Sequence, residues 1–116
     1  MRVGIDIGGT KIEAVGIDED LDVLATFRGP VRTGASGVTA GAIEALDEIS
    51  RRADRPIESI GIGVPGAIRR GVVRHARNLD IESLDLESAV SRAAGACVRV
   101  SNDVNAAALG AWALRG

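Results

Sequence analysis

The chain has 116 residues, the length of one domain, and its 46% hydrophobic content suffices for a core of ordinary size. The 14 basic residues stand against 16 acidic ones, a formal charge of −2 that offers no footprint for a polyanionic duplex, so no nucleic-acid partner is expected. Aromatic content is 2%, Phe27 and Trp112 alone, which makes the core aliphatic and leaves little ring surface for stacking on bases or sugars.

In chain order, residues 2–7 read as a short, nearly continuous apolar strand that stops at Gly8-Gly9-Thr10, and residues 12–17 resume as its hairpin partner. The polar turn Asp18-Glu19-Asp20-Leu21-Asp22 leads into a third antiparallel strand over residues 23–29, broken by Pro30. After a loop over residues 33–37, Val38, Ala42, Leu46, Ile49 and Ala53 recur every three or four residues and predict a helix packed on the sheet, ended by Arg55-Pro56. Residues 57–64 then form a fourth strand, parallel to the first, which opens into the Pro65-Gly66 turn.

Val72-Val73 indicates a small β extension, and Leu86, Ala89, Val90, Ala93 and Ala94 mark a second helix. Residues 97–100 give a short fifth strand and residues 104–114 a last helix. The order βββαβ, a short β segment, then αβα defines an α/β class with a mixed sheet and flanking helices, distinct from a doubly wound parallel sheet. Cys97 is the sole cysteine, so neither an internal disulfide nor a zinc cluster is expected. Met1 runs directly into the alternation Val3, Ile5, Ile7 and no apolar run reaches 18 residues, so a cytoplasmic chain without membrane association is expected.

Chemistry concentrates in three places. The first is Asp6-Ile7-Gly8-Gly9-Thr10-Lys11. Two glycines let successive N–H groups face one concavity that suits phosphate oxygens, Thr10 adds a hydroxyl, Lys11 a positive charge, and Asp6 at the strand end can hold Mg²⁺ through water. The same residues also suit a plain tight hairpin with a solvated acid and lysine. The balance shifts because Lys11 is the only lysine of the chain, the remaining 13 basic residues being arginine. The segment fits neither the Walker spacing nor the dinucleotide GxGxxG fingerprint.

The second place is Gly61-Ile62-Gly63-Val64-Pro65-Gly66, a strand ending in a glycine-proline corner that either brings bare backbone to a cleft or merely packs tightly and turns. Downstream, Asn78 offers an amide for a hydroxyl, whereas His75, in an arginine-rich loop, reads as solvated. The third place is Ser101-Asn102-Asp103-Val104-Asn105, where a strand ends and a helix begins. Helix capping accounts for one of these polar residues but not for all three. An Asp at a strand's carboxyl end is where α/β folds place a general base, and the adjacent Asn can orient a hydroxyl.

These segments, in this order, resemble the ROK family of sugar kinases and related repressors, within the actin/hexokinase/Hsp70 superfamily. The likeness covers essentially the whole chain. It implies a ribonuclease H-like (actin-like ATPase) fold and transfer of the γ-phosphoryl group of MgATP to a sugar hydroxyl, usually the C6 hydroxyl of a hexose, as in a glucokinase. By the same resemblance Asp6, Gly8, Gly9, Thr10 and Lys11 form the first phosphate loop with Asp6 serving Mg²⁺. Gly66, Asn78 and Asn102 border the sugar, and Asp103 is both a sugar ligand and the catalytic base. A homo-oligomer is implied for the complete protein.

Departures from the family pattern fall at residues 67–71, a shortened loop in place of the usual Asp and longer hairpin, and at Gly110-Ala111, where an acidic residue is common. The family's carboxyl-terminal lobe, with its ExGH motif, zinc loop and second phosphate loop, has no counterpart in residues 1–116, so these residues are expected to form the amino-terminal lobe alone and to be inactive by themselves. Two rivals use the same fold: a sugar-sensing transcriptional regulator, whose winged helix is not expected before the first strand here, and a non-catalytic sugar-binding module.

Overall fold

The computed structural model describes residues 1–102, in eight strands and two α-helices. The predicted helix over residues 104–114 lies outside the described residues. Strands β1 (Arg2–Ile7), β2 (Lys11–Ile17) and β3 (Val23–Pro30) form the expected antiparallel meander. Its second turn is built by Asp18, whose Oδ1 accepts the N–H groups of Asp20 at 2.9 Å and Asp22 at 3.0 Å, a side chain standing in for a backbone turn.

Helix α1 (Gly34–Ala53) follows, then β4 (Ser59–Gly63), which pairs with β1 in parallel. The parallel return requires a crossover, and α1 supplies it. A second helix, α2 (Leu86–Ala94), precedes the last described strand, β8 (Cys97–Ser101), which pairs in parallel with β4. The five-stranded sheet therefore has the order β3-β2-β1-β4-β8, with β1 at its centre.

Alternation along β1 decides how the sheet is covered. Val3, Ile5 and Ile7 are buried on one face while Asp6, on the other, is only partly buried. Helix α1 lies on the first face and buries Val38, Ala42, Ala45, Leu46 and Ile49, the stripe its apolar period predicts. The approach is close: a Cβ on Gly16, the partner of Val3, would stand 2.7 Å from Ile49 Cγ2 and 2.8 Å from Met1 Sδ. Bare backbone at residue 16 is what admits Ile49, whose side chain is wholly buried.

Three expectations are corrected. Residues 34–37 are the first turn of α1 rather than loop; they precede Val38, the first buried position, so the apolar period carries no trace of them. The fourth strand is shorter than residues 57–64 at both ends. The β extension at Val72-Val73 is the middle of a separate antiparallel sheet, β5 (Ala67–Arg69), β6 (Val72–Ala76) and β7 (Ile81–Asp85). Residues 67–71 thus form one arm and the turn of a hairpin, with Arg70 at φ 51 and Gly71 at φ 80 supplying the two positive angles that a two-residue connection favours.

Helix α2 starts on Asp85, whose Oδ1 accepts the Ser88 N–H at 3.2 Å, and ends on Gly95 at φ 66. Both are the capping residues such ends prefer. Its buried residues, Leu86 and Val90, join the core. No helix among the described residues is long and apolar enough to cross a membrane.

Candidate active site

The carboxyl ends of the three parallel strands β1, β4 and β8 lie side by side, and the sequence-predicted residues sit at or just beyond them. Pairing aligns Arg28, Glu13, Asp6, Gly63 and Ser101 in one row across the sheet. Just past the row the Val64 N–H donates to the Ser101 carbonyl at 2.9 Å, which fixes the Pro65-Gly66 corner beside the exit of β8. Crevices outside the carboxyl ends of strands are where open α/β sheets hold ligands.

The β1–β2 turn closes through one short bond, Gly8 N–H to the Lys11 carbonyl at 2.9 Å, and is tied to the end of β3 by Val31 N–H to the Thr10 carbonyl at 3.2 Å. Neither Gly8 nor Gly9 takes a left-handed φ. What glycine provides here is closeness. A Cβ on Gly8 would stand 3.4 Å from the Lys11 carbonyl oxygen, and one on Gly9 would stand 3.9 Å from Asn78 Cβ. Gly9, Thr10 and Lys11 are exposed, so the turn presents backbone and one hydroxyl to solvent.

Asn78 arrives from the small sheet. It is the exposed middle residue of a 3-10 turn, Arg77–Leu79, anchored by buried Leu79 and closed by Asp80 N–H to the Arg77 carbonyl at 3.0 Å. Gly66 sits at the same end of that sheet, just before β5, with φ 111. A Cβ there would meet the Arg74 carbonyl oxygen at 2.9 Å and Ala76 Cβ at 3.1 Å, so any other residue would force the corner to shift. The structure thus brings Asn78 against Gly9, seats Gly66 against Arg74 and Ala76 of the same small sheet, and leaves Asn102 exposed directly after β8. His75 is exposed, as expected, and holds a φ of 56 within β6. Asp103 lies outside the described residues.

Electrostatics add a residue that sequence reasoning passed over. Glu13, directly opposite Asp6, accepts Lys11 Nζ at 3.1 Å and Arg28 Nη2 at 3.5 Å on the same Oε1. Burial raises the Asp6 carboxyl above its ordinary range, the charge of Glu13 raises it further, and Lys11 opposes both. The bond from Lys11 holds Glu13 itself low, with Arg28 assisting against a smaller burial cost. The signal was present in the sequence, because Asp6 and Glu13 stand equally far from the centre of the Gly9-Thr10 turn.

Comparison with known proteins places the chain. Residues 2–115 match the ROK family, and the chain belongs to that family, within the actin/hexokinase/Hsp70 superfamily. A glucokinase of Streptomyces coelicolor is 34% identical over 118 residues, covering 100% of this chain and 37% of the relative. An N-acetyl-D-glucosamine kinase of Aliivibrio salmonicida is 33% identical over 122 residues, covering 97% of this chain and 38% of the relative. Among solved structures, a ROK family glucokinase from Streptomyces griseus, in complex with glucose and AMPPNP, superposes with a TM-score of 0.81 at 36% identity, covering 92% of this chain and 34% of its own. The chain thus spans little more than a third of the length of these relatives.

Proposed function

We propose that this chain is the amino-terminal lobe of a sugar kinase that transfers the γ-phosphoryl group of MgATP to a hexose hydroxyl, with Asp103 as general base. The observation that supports it most is the closeness of Asn78 to the turn, its Cβ 3.9 Å from where a Cβ on Gly9 would lie, because a residue with a hydroxyl-binding amide then stands beside a backbone turn suited to phosphate. The second support is kinship with proteins named as glucokinases and as an N-acetyl-D-glucosamine kinase. A second lobe would close the nucleotide side of the cleft.

In this reading the turn Gly8-Gly9-Thr10 offers N–H and hydroxyl donors to phosphate, and Lys11 exchanges Glu13 for a phosphate oxygen. Mg²⁺ fits the corner: the donors are carboxylate oxygens, Asp6 with Glu13 in register, and an acid held above its ordinary range by burial and by a neighbouring negative charge gains from an arriving cation. Asp6 would hold the ion through water. When bound, MgATP supplies the phosphoryl group and neutralises charge at the phosphates.

Asn78 and Asn102 orient the sugar, Gly66 lets it approach the backbone, and Asp103 takes the proton of the attacking hydroxyl. Orientation carries most of the rate, since phosphoryl transfer needs alignment and charge neutralisation more than covalent help from the protein. In the full-length protein, Asp103→Ala is expected to lower turnover by about 100-fold or more while sugar binding, read by calorimetry, is retained. Unchanged phosphorylation by that variant would remove Asp103 from the role.

A further inference from the structure

A junction away from the phosphate turn joins the small sheet, α2 and β8 through one side chain, Glu87. Its backbone N–H donates to the Gly71 carbonyl at 3.3 Å, in the β5–β6 turn. Its Oε2 accepts the Val100 N–H at 3.4 Å, on the edge strand of the described sheet, where an N–H has no strand to pair with. The carboxylate lies flat against Gly71: a Cβ there would stand 2.5 Å from Glu87 Cβ and 2.7 Å from Oε2, and Gly71 holds φ 80. Both the glycine and the acid are needed for the junction to close.

From these contacts we propose that Glu87 is a positioning residue, a clasp that fixes the exit of β8 relative to the small sheet. The inference rests on the kinase reading above. Val100 lies two residues before Asn102 and three before Asp103, whereas Gly71 belongs to the hairpin that leads from Gly66 and, through β6, to Asn78. One carboxylate therefore ties the strand that delivers the base to the sheet that presents the sugar contacts. The bond to Val100 is long, so its weight lies in what its loss leaves behind, a Val100 N–H without its partner. Misplacement of a reacting group by about 1 Å can cost on the order of 100-fold in rate.

The test uses the full-length protein with Glu87→Ala and Glu87→Gln, reading Val100 amide exchange together with kcat and the KM values for sugar and ATP. Glu87→Ala is expected to speed Val100 exchange and lower kcat about tenfold, with the KM for ATP unchanged because the clasp bonds to Gly71 and Val100 and not to the phosphate turn. Glu87→Gln keeps an oxygen acceptor and is expected to restore most of kcat. Unchanged Val100 exchange in Glu87→Ala overturns the clasp, and faster exchange with unchanged kcat overturns its positioning role. A parallel loss of kcat and ATP affinity in both variants assigns Glu87 to general stability and likewise overturns the proposal. If the wild-type protein phosphorylates no hexose, the kinase reading has failed and the positioning role with it, while the exchange measurement still decides whether the clasp exists.

Discussion

Asn78 Cβ stands 3.9 Å from the point where a Cβ on Gly9 would lie, so two segments separated by the whole of β2, β3, α1, β4, β5 and β6 meet at one corner. The distance is ordinary van der Waals contact and residue 9 is not left-handed, so Gly9→Ala is expected to leave stability within about 0.5 kcal/mol of wild type. A methyl group among the phosphate donors is nonetheless expected to raise the KM for ATP roughly tenfold in the full-length protein, equivalent to about 1.4 kcal/mol. Thermal unfolding and initial-rate kinetics on one variant separate the two effects.

Gly66 behaves differently. Its φ of 111 and a Cβ 2.9 Å from the Arg74 carbonyl oxygen leave no room for alanine without moving backbone. Gly66→Ala is therefore expected to cost about 1–3 kcal/mol in stability, seen as a lowered denaturant midpoint in urea unfolding. A midpoint unchanged from wild type would show that the corner adjusts freely.

How far the sequence disclosed this arrangement depends on which signal each element leaves. The meander, α1, the parallel return and α2 were legible because apolar residues repeat at strand or helix period, as in Val3, Ile5, Ile7 and in Val38, Ala42, Leu46, Ile49. The small sheet was not. In β7 only Ile81 is buried, and β5 has three residues with none fully buried, so backbone pairing rather than side-chain pattern defines both strands. At the site, Asp6 to Lys11, Gly66 and Asn78 were legible as motifs. Glu13 was legible only through the hairpin register that sets it opposite Asp6, and Glu87 was not, since an acid at a three-element junction leaves no local pattern.

The Asp6 carboxyl gives a prediction with a definite sign. A carboxyl raised in the folded state stabilises the fold below its unfolded value, near 3.8, and that contribution is lost as pH rises through the raised folded value. Ionised Asp6 thus weighs against the fold at neutral pH. Asp6→Asn is expected to be more stable than wild type at pH 7, by a margin that solvent screening keeps small, with the difference vanishing below pH 3.8. Glu13 has the opposite sign: its lowered carboxyl stabilises the fold above 4.5 and loses that contribution on acidification. Urea unfolding of Asp6→Asn and of Glu13→Gln from about pH 3 to about pH 7 checks the two signs.

Glu13→Gln removes the negative charge that faces Asp6 while leaving Lys11 in place. The Asp6 carboxyl is then expected to titrate lower than in wild type, in a carbon-detected NMR titration. A higher or unchanged midpoint would mean that the cross-strand charge does not reach Asp6.

The central claim is that this corner serves phosphoryl transfer to a sugar. Release of ADP by the full-length protein, measured with MgATP against glucose, N-acetylglucosamine and no sugar, tests it most directly. The expected result is ADP release that depends on one of the hexoses and disappears in Asp103→Ala. Hexose binding without any hexose-dependent ADP release would contradict the claim and leave a sugar-binding module in its place.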